Sequence, residues 1–271
     1  MKVVAFLPVK GSSSRIESKN LKLLDGKPLF LHTLEKLLQC DFIDDVYLDT
    51  ESEQVINAAS YLNHNVLLRD PALADNKTDG NRLFMNEVNQ VEADIYIQIL
   101  CTSPFIDIET IRNGVEELSK NDYDSAVLVR KERLYTWSEN GPNYDLQNIP
   151  NSVDLPDTTI ETMGLYIVKR ETALKTQRRI GDKPFQLEAT ATEAIDVNWP
   201  EDFDLANLIA AGLREKDRIL LDNLKSQLNS SMLSDLLDDL GYKTVVNGLL
   251  PNLDGAKLFG RAKTLKLRKI K

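Results

Sequence analysis

The stretch Val3-Val4-Ala5-Phe6-Leu7-Pro8-Val9-Lys10-Gly11-Ser12-Ser13-Ser14-Arg15-Ile16-Glu17-Ser18-Lys19-Asn20 constrains the fold of this chain most tightly. The apolar run 3–7 suits a strand buried within an α/β sheet, and Pro8 ends it. The loop that follows is small, hydroxylated and basic. Gly11 admits close approach of backbone N–H groups to an anion, and Ser12, Ser13 and Ser14 add short donors. Lys10, Arg15 and Lys19 carry the charge needed against a polyphosphate. The loop lacks the spacing of a Walker A motif and of G-x-G-x-x-G. On residue types alone it is either a phosphate cradle or a solvated basic loop.

The rest of the first two hundred residues repeats this alternation. Residues 46–49, 65–68, 95–99, 125–129 and 164–168 are predicted as further short buried strands. Helical patterns lie between them. Pro28 opens one with Leu29, Leu31, Leu34, Leu37 and Leu38 on one face. Residues 53–62, 81–91 and 108–119 are others, the last with Asp107 as its N-cap. Strands alternating with helices predict an α/β fold with a mostly parallel sheet. The stretch 131–160, with Gly141, Pro142, Pro150 and Pro156, breaks the rhythm and is read as an excursion from the sheet. Pro200 opens a helix expected to run to about Gly212.

With 271 residues the chain is long enough for one large domain and an appendage. A net charge of −9 argues against wholesale nucleic-acid binding. Two cysteines, Cys40 and Cys101, make no disulfide framework and fit a reducing cytoplasm. No signal peptide is expected, because the chain enters a strand at once, and no apolar run nears the ~20 residues of a membrane span.

The opening segment resembles the signature loop of the sugar-activating cytidylyltransferases, Pro-Ala-Arg-Gly-Gly-Ser-Lys-Gly-Ile-Pro-Gly-Lys-Asn. Pro8, Gly11, Ser13, Ile16, Lys19 and Asn20 match it without gaps. Lys10 stands at its arginine and Glu17 at a proline. Ser14-Arg15 is similar to the Ser-Thr-Arg of related branches. Gly26-Lys27-Pro28-Leu29 matches the family's next turn. Asp49-Thr50-Glu51 stands where the family has Ser-Thr-Asp, and is otherwise a helix start with acidic first-turn residues. Arg69-Asp70-Pro71-Ala72-Leu73-Ala74-Asp75 is similar to Arg-Pro-x-x-Leu-Ala-x-Asp. Arg69 is then a nucleotide contact or, on its own surroundings, a surface ion pair with Asp70 or Asp75. Thr102-Ser103-Pro104 matches the end of Gln-Pro-Thr-Ser-Pro. Leu100 replaces the glutamine, for which Gln98 is a partial substitute, and Cys101 replaces a proline. Asp196-Val197-Asn198-Trp199-Pro200-Glu201-Asp202 is similar to Asp-Ile-Asp-Thr-Pro-Glu-Asp, whose first and third residues hold Mg²⁺ in the family. Asp196 and Asn198 take those places, expected on one face of a strand end.

The resemblance implies a three-layer α/β sandwich of the nucleotide-diphospho-sugar transferase type over residues 1–212. It implies transfer of CMP from CTP to a small acidic sugar, sialic-acid-like or deoxy-octulosonate-like, with release of pyrophosphate. Lys10, Lys19 and Asp196 would carry catalysis. Gly11, Ser12, Ser13, Arg15, Asn20, Arg69, Thr102 and Ser103 would bind nucleotide or substrate, and Asp196 and Asn198 would bind Mg²⁺. The excursion at 131–160 would make a homodimer contact. The other readings are a nucleotidyltransferase of different base and sugar, and a degenerate domain serving binding or assembly.

Residues 213–271 are expected as a partial second domain of helices plus a strand. Residues 213–228 and 231–240 are helical in pattern, and 262–267 alternates as a strand does. Ser231–Gly241, Leu250-Pro251 and Leu258–Thr264 are similar to the opening of the ribonuclease-E-activity regulators and class II oxo-acid aldolases. That family's active-site segment is not reached. Seven Lys or Arg and no acid follow Asp254, which a strand's solvent face accommodates. The chain is read as the front part of a longer two-domain protein.

Overall fold

The computed structural model describes residues 1–75 and 77–227. The expected helix at 231–240, the strand at 262–267 and the second family resemblance lie outside the described residues. Two compact units are present, Met1–Ala206 and Asn207–Lys271. The described part of the second unit is the continuation of one helix. No helix among the described residues is long and apolar enough to cross a membrane.

The first unit opens with β1 (Val3–Pro8), the ribbon β2 (Leu23–Leu24) and β3 (Lys27–Pro28), and α1 (Leu29–Leu37). Then come β4 (Asp45–Thr50), α2 (Glu53–Ala59), β5 (Asn65–Leu68), α3 (Gly80–Gln90), β6 (Ile95–Ile99) and α4 (Ile108–Lys120). The chain continues through β7 (Ser125–Glu132), the ribbon β8 (Trp137–Ser138) and β9 (Gly141–Pro142), β10 (Thr158–Lys169), α5 (Arg170–Thr176), β11 (Pro184–Glu188) and α6 (Pro200–Gln227).

Seven strands form one sheet in the order β11-β7-β10-β6-β1-β4-β5. The β1, β4, β5, β6, β7 and β11 strands run in one direction, and β10 alone runs against its two neighbours. Each strand sends alternate side chains to opposite faces. Val3, Ala5 and Leu7 join Leu48, Ile97, Leu128 and Ile167 on one face, packed with Phe30, Leu34 and Leu37 of α1 and Ile111, Val115 and Leu118 of α4. Val4 and Phe6 join Tyr96 and Val168 on the other, under Phe84, Met85 and Val88 of α3 and Ala173 of α5. Helix–sheet–helix layering follows from strands that are apolar on both faces.

Four sequence expectations change. The strand foreseen at 164–168 begins at Thr158, and a register shift between Glu161 and Tyr166 interrupts it. Met163 sits there with φ +62°, so two stretches of pairing with β7 join across a bulge. β11 was not foreseen. The excursion is shorter than 131–160, because β7 runs to Glu132 and β10 starts at Thr158. The helix beginning at Pro200 runs through Gly212 to Gln227 without a break. An interior glycine costs a helix only about 1 kcal/mol, too little to stop one this long.

Candidate active site

Six parallel strands deliver their following loops to one end of the sheet, where α/β folds bind ligands. Pairing of Pro8 with Asp49 sets the end of β1 beside the end of β4. The loop after β1 is then held at its base. Val9 N donates to Asp49 O at 2.8 Å. Asn20 Nδ2 donates to Lys10 O at 2.8 Å. Gly11 N donates to Glu51 Oε1 at 2.7 Å. Gly11 is required by this approach: a Cβ would lie 2.5 Å from Ser52 Cβ. Its N–H therefore faces the turn after β4 and not an incoming anion, a correction to the role expected from sequence. Ser12 and Arg15 remain exposed on the loop, with Ser13 half-buried. Ile16 N makes a long contact to Ser13 Oγ, 3.5 Å.

Lys19 and Asn20 turn inward. Lys19 is 7 % exposed, and its Nζ donates to Val197 O at 2.7 Å. Val197 N donates to Thr102 O at 2.8 Å, and Cys101 Sγ lies 3.4 Å from Asn20 Oδ1. These bonds tie together the loops after β1, β6 and β11. Burial lowers the Lys19 pKa, while Cys101 and Asp196 pull it back up. Burial pushes the Cys101 thiol up to about 12, which makes it a packed, inert residue. Lys10 donates to Asp75 O at 2.8 Å; burial lowers its pKa, and the neighbouring Arg69 adds to that. Arg15 lies 5.3 Å over the ring of Trp199.

Asp196 and Asn198 are not on a strand. They meet nonetheless: Asn198 Nδ2 donates to Asp196 Oδ2 at 2.5 Å. Asp196 Oδ1 is buried and has no hydrogen-bond partner. The segment keeps its place through two other acids. Glu193 accepts from Asp107 N and Thr110 Oγ1 with one oxygen, and from Thr190 N and Oγ1 with the other. Burial would raise its pKa, but these bonds outweigh that and hold it below the usual value. Asp202 accepts from Asn198 N and Trp199 N, closing the start of α6 as a capping carboxylate does.

Arg69 and Ser103 are placed differently from expectation. Arg69 is 2 % exposed and pairs with neither Asp70 nor Asp75. Its Nε and NH2 bind the two carboxylate oxygens of Asp49 at 3.0 and 2.9 Å, and NH2 also binds Asp49 O at 2.7 Å. Its NH1 lies 3.7 Å from Glu51 Oε2. Ser103 is buried, with Oγ in the position that would meet a Cβ on Gly164. Gln98 does not reach the position of Leu100. It is buried and donates to Glu87 Oε2 at 2.6 Å. Glu87, fully buried on the sheet side of α3, has its pKa pushed well above the usual carboxylate range by burial and by the facing Asp49. Sequence reasoning passed over Glu87 and gave Glu51 no separate role. The signal for Glu87 was an acid between Phe84 and Val88 on the apolar stripe of α3.

The family profile described as cytidylyltransferase matches residues 4–196. The chain belongs to this family. A CMP-N,N'-diacetyllegionaminic acid synthase of Legionella pneumophila is 34% identical over 122 residues, 43% of this chain and 53% of that protein. An N-acylneuraminate cytidylyltransferase of Streptococcus agalactiae is 23% identical over 216 residues, 75% of this chain and 52% of that protein. The chain thus spans about half the length of these curated relatives. A CMP:2-keto-3-deoxy-manno-octonic acid synthetase solved with CTP superposes with a TM-score of 0.60 at 19% identity, over 78% of this chain and 99% of that one. It shares the helix–sheet–helix fold described above. The segment 4–196 runs from the strand that delivers the first loop to the acid with the unmet oxygen.

Proposed function

We propose that this protein is a CTP-dependent cytidylyltransferase that activates a small acidic sugar, giving a CMP-sugar and pyrophosphate. The observation that carries this reading is the junction of Lys19, Val197 and Thr102, which gathers three family motifs at the carboxyl end of a family fold. The named relatives act on acidic sugars, which supports the substrate class.

The sugar hydroxyl attacks the α-phosphorus in line. Catalysis of this type needs positioning and charge, and no covalent nucleophile. Lys10, Lys19 and Arg15 screen the triphosphate, with Ser12, Ser13 and the backbone N–H groups beyond Gly11 as short donors. Asn20 holds the loop through Lys10 O, and Thr102 holds the Asp196 segment through Val197 N. Arg69 and Ser103 act from below, by fixing the turn after β4 and the end of β6. The unmet Oδ1 of Asp196 fits a divalent cation. Mg²⁺ there would offset charge developing on the phosphates. Among the described residues no cluster of three or more His, Cys, Asp or Glu could hold a metal, so phosphate oxygens would complete the coordination, as is usual for this ion. Asn198 presents its amide N–H₂ to Asp196 and is a ligand only after that amide turns over.

The surface of 134–160 exposes Leu134, Trp137, Leu146, Ile149, Val153 and Ile160, which supports a homodimer contact there. The buried thiols of Cys40 and Cys101, neither in a disulfide, suit the reducing cytoplasm. A thermal-shift screen of CTP, UTP, GTP and ATP with Mg²⁺ tests the reading. Selective stabilisation by CTP is expected; no shift with any nucleotide supports the degenerate binding domain instead. Pyrophosphate release measured against Mg²⁺ tests the metal. Asp196→Ala is expected to abolish turnover, and Asn198→Asp to reach half-maximal rate at lower Mg²⁺. Full activity of Asp196→Ala at limiting Mg²⁺ rules the assignment out.

A further inference from the structure

Two buried polar atoms without hydrogen-bond partners, Glu51 Oε2 just past the end of β4 and Arg69 NH1 just past the end of β5, face each other at 3.7 Å. Buried polar groups are rarely left this way without a reason in the site they serve. The Glu51 side chain is 15% exposed and that of Arg69 is 0% exposed. The other Glu51 oxygen takes the Gly11 N–H. Arg69 is fixed in turn by two bonds to the Asp49 carboxylate and by its own backbone N–H to Thr50 O at 3.0 Å. The chain Asp49–Arg69–Glu51–Gly11 therefore joins the ends of β4 and β5 to the first residues of the loop.

We propose that Glu51 is the positioning residue of the nucleotide loop: its carboxylate, held by Arg69, seats Gly11 on the turn after β4 and thereby sets the affinity for the triphosphate. This rests on the cytidylyltransferase reading. An ionised carboxylate accepts an N–H more strongly than a neutral amide oxygen does. Only the ionised form also attracts the guanidinium, and burial protects that pair from screening. With Gly11 N–H turned to Glu51, the amides of 12–15 are left as the loop's phosphate donors. Gly11 allows the seating because any side chain there would strike Ser52.

The test uses the full chain and two variants that unseat the loop by different routes. Glu51→Gln removes the charge, and Gly11→Ala leaves Glu51 intact but forces the loop from Ser52. Amide hydrogen exchange over 11–15 and trypsin cleavage after Arg15 report seating without any ligand. Calorimetry with CTP reports affinity. Both variants are expected to exchange and cleave faster and to bind CTP about tenfold more weakly, while the exposed neighbour variant Glu53→Gln changes neither readout. If Glu51→Gln does not fold, Gly11→Ala decides. Unchanged loop protection overturns the proposal. So does a Glu51→Gln protein that binds CTP as tightly as wild type, or more tightly, since Glu51 would then compete with the triphosphate. A loosened loop in a protein whose wild type binds no nucleotide supports the seating and removes the cytidylyltransferase reading.

Discussion

Lys19 and Glu87 show how one side chain carries a consequence its neighbours do not. Lys19 places a charge at the junction of three loops, with burial holding its pKa below that of an ordinary lysine. Lys19→Ala is expected to weaken CTP binding more than any other single change in the opening loop, by about 1.5–3 kcal/mol. Calorimetric titration checks this, and an unchanged dissociation constant removes Lys19 from the site. Because its pKa is lowered, CTP affinity in wild type should decline on the alkaline side before an exposed lysine would lose its proton. Glu87 is the opposite case. Its pKa is raised, so between the unfolded value near 4.5 and the folded one the native state holds a proton that the unfolded state lacks. Stability therefore falls as pH rises through that window. Glu87→Gln has no proton to lose and should flatten the slope. Denaturant titrations from pH 5 to 9 test it, and parallel slopes for the two proteins refute it. These residues also mark what sequence could and could not yield. Lys19 stands out in the sequence through its match to the family's lysine and its place after a small-residue turn, but its burial against Val197 O has no local signal. The burial of Arg69 was not legible, because only the pairing of Pro8 with Asp49 and of Thr50 with Leu68 brings its partner beneath the loop.

At the scale of elements, α4 packs unusually close to the sheet. A Cβ on Gly114 would lie 2.4 Å from Ile167 Cδ1 and 2.8 Å from Leu187 Cδ1. Gly114→Ala is expected to destabilise the fold by about 1–3 kcal/mol through overpacking, measured as a lower denaturation midpoint with an unchanged slope. Equal midpoints would mean that the helix shifts freely. The elements with a clear period were readable in advance: β1, β6 and the Leu-rich face of α1 are buried as their patterns predict, except that Leu38 caps the helix and is half-buried. β11 was missed because Pro184-Phe185-Gln186-Leu187-Glu188 is short and mixed, and finds its place only by pairing with β7. The Asp196 segment was misread as a strand for a related reason. Its apolar and polar residues alternate, but its bonds go to Thr102, Lys19 and Asp202 rather than to a neighbouring ladder.

For the whole molecule, every assigned site residue lies in the unit Met1–Ala206. The protein truncated after Gly212 keeps that unit and the first turns of α6. It is expected to fold and to bind nucleotide as the full chain does. Circular dichroism and CTP titration of 1–212 check this, and insoluble or nucleotide-blind protein would show that later residues are needed. The architecture was legible because alternation of strand and helix fixes the layers. The antiparallel course of β10 was not, since it depends on where the chain returns after the excursion, and no local pattern encodes that.

Lys19 and its carbonyl partner on Val197 are 178 residues apart. On a ribosome adding ~5–20 residues per second, the lysine leaves the tunnel roughly ten to forty seconds before the oxygen that receives it. During that interval β1 can find β4, and Glu51 can find Gly11, but the basic loop has no floor on its third side. A nucleotide site built on that junction, as proposed above, would stay incomplete until nearly the whole first unit has emerged and the segment that Glu193 clamps to the start of α4 has docked.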